Sequence, residues 1–75
     1  MALSVSASAL RAARIRAGLS RELVAVAIHR SHYTVVKYEN GANQPSAQVL
    51  VRLSELYRCP IEDFLGSDDD SAVVA

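Results

Sequence analysis

Gly18–Gly41, GLSRELVAVAIHRSHYTVVKYENG, holds two short helical segments between two stop signals. Gly18 is placed to end a preceding helix in the left-handed conformation that glycine adopts without a Cβ clash. Ser20 is an N-cap residue, and Glu22 falls in the first turn, where a carboxylate meets the positive end of the helix dipole. Val24, Ala25 and Ile28 recur at helical spacing and give an apolar stripe over Arg21–Ile28. His29 and Arg30 break the pattern without a glycine or a proline. Ser31 then caps a second helix, His32–Glu39, which stops at Asn40-Gly41. Thr34, Val35 and Val36 are β-branched and lower helix propensity, but a lone strand here has no partner, and the flanking caps decide for helix.

Outward from this pair the pattern stays helical. Residues 6–17, rich in Ala, Leu and Arg, form an upstream helix whose Leu10, Ala13 and Arg14 share a face. Downstream, Ala42–Pro45 is a loop, and Ser46 caps a fourth helix over Ala47–Tyr57, with Leu50, Leu53, Leu56 and Tyr57 at helical spacing. Pro60 suits the first turn of a fifth, short helix through Phe64 or Leu65, ended by Gly66. The expected fold is all-α, a compact five-helix bundle with a central helix-turn-helix. Residues 1–5 are an N-terminal arm, 6–66 the domain, and 67–75 an acidic tail expected to be disordered.

Composition narrows the function. The 75-residue chain is one domain and has a single cysteine, Cys59, so no internal disulfide staples it. Its two histidines and one cysteine lack metal-ligand spacing, and no cofactor or metal is expected. Hydrophobic residues make up 51%, enough for a helical core. Net charge is zero but unevenly spread. Arg11, Arg14, Arg16, Arg21, Arg30 and Lys37 against Glu22 and Glu39 give the first 41 residues +4. Arg52 and Arg58 against Glu55, Glu62, Asp63, Asp68, Asp69 and Asp70 give the rest −4. Such polarity suggests one face turned to an anion and an acidic remainder, although charge alone does not exclude a chance split. No apolar run is long enough to span a bilayer. Ala7-Ser8-Ala9 mimics a signal-cleavage site, but no basic residue precedes the short apolar stretch, so the expected location is cytoplasmic.

The ordered set Leu10-x-x-x-Arg14, Gly18-Leu19-Ser20, Ala25, Ile28, Ser31, Val35, Glu39-Asn40-Gly41, Pro45-Ser46, Leu50, Leu53 and Leu65 resembles the Cro/repressor-type (Xre-like) helix-turn-helix domain. The pattern runs from Leu10 to Leu65 without a gap. Its specificity lies in the order and spacing of the markers, not in any one of them. The resemblance implies a lambda-repressor-like fold in a bacterial or phage-encoded protein. It also implies that the helix near residues 31–39 enters the major groove of double-stranded DNA. Ala25 would be the small residue at the helix crossing, and Val35 would pack back onto the preceding helix. That leaves Ser31, His32, Tyr33, Val36 and Lys37 as candidate base contacts.

The resemblance also gives candidate phosphate contacts at Ser20, Arg21, Asn40, Asn43 and Gln44, with the helix start at Ser20-Arg21 a natural anion site. Arg21 stands where relatives usually carry glutamine, and the loop of Asn43 and Gln44 is uncharged where theirs is often basic. A shallower salt dependence of binding follows. Arg14 and Glu39 match a pair that ties the first helix to the end of the recognition helix. Other departures are His29, where relatives often have glycine, and Arg30, where they are often apolar. The stem of Arg30 can cover the core edge while its head reaches solvent or DNA. Two readings stay open for Val36, a thymine-methyl contact or a hydrophobe at a protein interface. Tyr33 and His32 either reach the groove or stay with the bundle and solvent. Cys59 reads as a small buried hydrophobe. Leu53, Leu56, Tyr57, Ile61, Phe64 and Leu65 read as core, or as a dimer patch where exposed.

Two function classes remain. The first is a sequence-specific transcriptional regulator, dimeric on a palindromic operator, acting by occlusion or through RNA polymerase. The second is a protein-interaction or antitoxin-like module in which the helix-turn-helix is scaffold and the acidic half grips a basic partner. An enzyme is not expected: there is no phosphate-cradling glycine loop, no metal cluster and no nucleophile paired with a base.

Overall fold

Four serines start the four helices. In the computed structural model, which describes residues 4–66, the elements in order are strand β1 (Ser4–Val5), helices α1 (Ala7–Arg16), α2 (Arg21–Ala27), α3 (His32–Asn40) and α4 (Ala47–Tyr57), a 3-10 turn (Ile61–Phe64) and strand β2 (Leu65–Gly66). Ser6, Ser20, Ser31 and Ser46 sit in extended backbone, each accepting a hydrogen bond on its Oγ from the N–H three residues on. Each such cap is worth about 1 kcal/mol. The helices end differently. Gly41 closes α3 at φ 83, in the left-handed region. Arg58 closes α4 in the same conformation at φ 56, with the Cys59 N–H on the Ser54 carbonyl and the Ser54 hydroxyl donating to the Cys59 carbonyl.

The five-helix expectation is corrected: the described residues form four α-helices, and the segment after Pro60 makes no fifth. Pro60 is extended (φ −69, ψ 153), and the four residues after it close only a 3-10 turn. Leu65 is extended again, and β2 pairs antiparallel with β1, Val5 opposite Leu65 and Ser4 opposite Gly66. The Ser6 N–H donates to the Phe64 carbonyl at 2.7 Å, continuing the tie. The ladder satisfies backbone groups that another helical turn would have claimed, and it joins the two ends of the domain. Of the expected N-terminal arm, Ser4 and Val5 form this strand, and the expectation for 67–75 lies outside the described residues.

The core runs through every helix. Leu10 and Ala13 of α1, Val24 and Ala25 of α2, Ile28 just after it, Val35 and Tyr38 of α3, and Val49, Leu53 and Tyr57 of α4 are buried together with Phe64. Phe64 is fully buried and meets Tyr57 edge-on, ring centroids 6.0 Å apart. Replacing such an aromatic with alanine costs about 3–5 kcal/mol. Tyr38, Val49 and Ala7 are core residues beyond those expected; the first two lie at i+3 from Val35 and i−4 from Leu53, ordinary helical spacing. Cys59, Leu50 and Leu56 are only partly buried, packed against this core, and Leu65 is exposed.

Candidate nucleic-acid interface

The crossing of α2 and α3 creates the face of interest. Ala25 is buried at 4% exposure, so a methyl is all that stands on that side of α2. Val35 and Tyr38 turn one side of α3 into the core. At 100° per residue the opposite side is therefore His32, Tyr33, Val36, Lys37 and Asn40. His32, Tyr33 and Asn40 are exposed, while Val36 and Lys37 are half-buried.

An ion-pair network fixes α3 against the helices behind it. The Glu39 side chain is 4% exposed and accepts from Arg14 Nε at 2.7 Å through one carboxylate oxygen and from Arg21 Nε at 3.1 Å through the other. Arg14, 10% exposed, also donates through Nη1 to the Leu19 carbonyl at 2.9 Å, in the loop before α2. One carboxylate at the end of α3 thus holds α1, the loop and the start of α2. Charge-assisted bonds of this length are the stronger kind, but desolvation offsets much of the attraction. The network serves orientation more than net stability. The sequence pattern pointed to Arg14 and Glu39; the share taken by Arg21 was not foreseen.

The sequence model of the helix-turn-helix domain matches residues 7–64, more than half of the chain. The chain belongs to the helix-turn-helix domain family. No curated protein matches it.

In this helix-turn-helix domain the exposed side of α3 is self-contacting. Lys37 Nζ lies 4.6 Å from the ring centroid of Tyr33, a cation–π contact at i, i+4 spacing. Tyr33 is 67% exposed, so the stacked pair stands out from the surface. His32 Nε2 is 3.5 Å from Glu22 Oε2, joining the start of α3 to the first turn of α2. Both contacts were absent from the sequence reading, although Tyr33 and Lys37 carried the i, i+4 signal.

The phosphate candidates, together with the base-contact candidate Ser31, fall into three situations. Ser20 and Ser31 use Oγ as cap acceptors, and Ser31 Oγ also lies 2.9 Å from Thr34 Oγ1. Arg21 is 37% exposed, with Nε committed to Glu39. Asn40 turns Oδ1 onto the Ala42 N–H at 2.9 Å, shaping the loop after α3, and Asn43 and Gln44 are exposed beyond it. Ser20 and Arg21 thus sit at the α2 start, and Asn40, Asn43 and Gln44 follow α3. Among the described residues no group of three or more metal-ligating side chains gathers, and no helix is long and apolar enough to cross a membrane.

Proposed function

We propose that the chain is a sequence-specific double-stranded-DNA-binding transcriptional regulator of the Cro/repressor type, dimeric on a palindromic operator, with α3 in the major groove. The observation that carries this reading is the outward side of α3. His32, Tyr33, Val36 and Lys37 lie opposite the buried Val35 and Tyr38, on a helix anchored through Glu39 to two arginines. Membership of the helix-turn-helix family supports it, as does the marker order from Leu10 to Leu65. Tyr33 and Lys37 supply stacking and a cation for base edges, Val36 an apolar surface for a thymine methyl, and His32 a ring nitrogen. Ser20, Arg21, Asn40, Asn43 and Gln44 hold the flanking phosphates. A regulator of this kind is non-enzymatic and works with the DNA in the cytoplasm.

A genomic pull-down followed by footprinting tests the proposal. A palindromic site should be protected, with half-sites about one helical turn apart. Arg21→Ala should weaken binding to all sequences, and Tyr33→Ala should change site preference. Absence of any protected site at low salt refutes it. A second reading, a protein-interaction module, is favoured by Leu23 and Val26 of α2, exposed at 59% and 74%. It predicts stable capture of a protein partner that Val26→Glu abolishes.

A further inference from the structure

By sequence Arg52 belongs to the acidic half of the chain, yet the fold carries it to the basic half. On α4, Arg52 and Gln48 share a cleft of about 220 Å3 with His29 and Arg30 of the α2–α3 turn, and Ile28 and Val49 complete its lining. Arg30 Nη1 donates to the His29 carbonyl at 3.1 Å, which holds the guanidinium beside the turn. His29 itself is in left-handed backbone at φ 58, a conformation that a residue with a Cβ adopts only under strain. No carboxylate lines the cleft; Glu55 lines the adjoining groove, which shares Ile28 and Arg52. The ion pairs among the described residues engage neither Arg30 nor Arg52. Two guanidinium groups brought into one cleft without a counter-charge repel each other, and an anion between them removes that repulsion.

We propose that this cleft binds a phosphate group, as a second anion site apart from the outward side of α3. Arginine matches phosphate oxygens with paired N–H donors, and the Gln48 amide adds a neutral donor. The phosphate has two possible sources. One is a backbone phosphodiester of a duplex bound through α3, a case that rests on the DNA-binding proposal. The other is a free phosphate-bearing small molecule.

The test follows the Arg Nε–H signals by NMR in the full chain during titration with inorganic pyrophosphate. In parallel, the salt dependence of binding to a long duplex is compared for the wild type and Arg30→Gln/Arg52→Gln. Both positions are exposed, and far-UV circular dichroism checks that the double variant folds. The Arg30 and Arg52 signals are expected to move with pyrophosphate, and the variant's salt slope is expected to be shallower by about 1. Movement with an unchanged slope assigns the site to free phosphate compounds. A shallower slope without movement assigns it to the DNA backbone. Silent signals together with an unchanged slope overturn the site while leaving wild-type DNA binding intact. If the wild type binds no DNA, the DNA-binding proposal fails by itself and pyrophosphate alone decides the cleft.

Discussion

Removing the Glu39 carboxylate should damage the fold more than removing Arg21, the outer of the two arginines that hold it. Glu39 is almost fully buried, and both its oxygens are used. In Glu39→Ala, Arg14 would stay at 10% exposure with only the Leu19 carbonyl to accept from it. Stranding a buried charge in this way costs about 3–5 kcal/mol. A domain of this length has only about 4–11 kcal/mol in total, so half the stability is at stake. Arg21 is different. Its side chain is more than a third exposed, so water screens its bond, and Arg21→Ala should cost about 1 kcal/mol or less. Replacing both partners of the inner pair, Arg14→Met with Glu39→Leu, removes the stranded charge as well as the attraction. This double variant should lie closer to the wild type than Glu39→Ala does. Urea unfolding of all four proteins with a common slope gives the comparison. The reasoning is refuted if Glu39→Ala costs less than about 1 kcal/mol, or if Arg21→Ala costs as much as Glu39→Ala.

Further outcomes follow from other parts of the structure. Burial, and then the negative charge of Glu39, push the Tyr57 hydroxyl well above its ordinary value, with Arg14 opposing; burial and Asp63 push the Cys59 thiol up as well. Both folded-state values exceed the unfolded ones, so the stability they contribute is complete below the ordinary thiol range and is lost as pH rises through it and past 10. Urea midpoints measured from pH 8 to 11.5 should therefore fall, less steeply in Tyr57→Phe; a flat profile contradicts this. Arg58→Gly relieves left-handed strain at the end of α4 and should raise stability by about 0.5–1 kcal/mol after the added freedom of the unfolded chain is counted. Calorimetry reads it, and a lower Tm would count against the strain. Lys37→Gln removes the cation over Tyr33; DNA affinity should drop and the salt slope should become shallower by about 1, as measured by fluorescence anisotropy.

Much of this architecture was legible because its signals are local. Ser20, Ser31 and Ser46 announce helix starts by residue type, and Gly18 and Asn40-Gly41 announce stops. The α2–α3 boundary was harder, since His29 takes a left-handed conformation that usually belongs to glycine. The segment after Pro60 was misread because the choice there is not local. Leu65 and Gly66 are extended by pairing with Val5 and Ser4, some sixty residues earlier, and no periodicity within 60–66 carries that information. The same holds at the candidate interface. Arg14 and Glu39 approach from 25 positions apart, and only the family pattern links them in the sequence. The bond from Arg21 to Glu39 and the meeting of Arg52 with the α2–α3 turn are tertiary events between exposed-looking charges, which spacing does not encode.

The central claim is that the outward side of α3 reads the major groove, and methylation protection on the footprinted operator tests it most directly. Guanine N7 lies in the major groove and adenine N3 in the minor. Protection of N7 positions within each half-site, lost selectively in Tyr33→Ala and Lys37→Gln, is the result expected. Protection confined to adenine N3, or N7 protection indifferent to both substitutions, would contradict it.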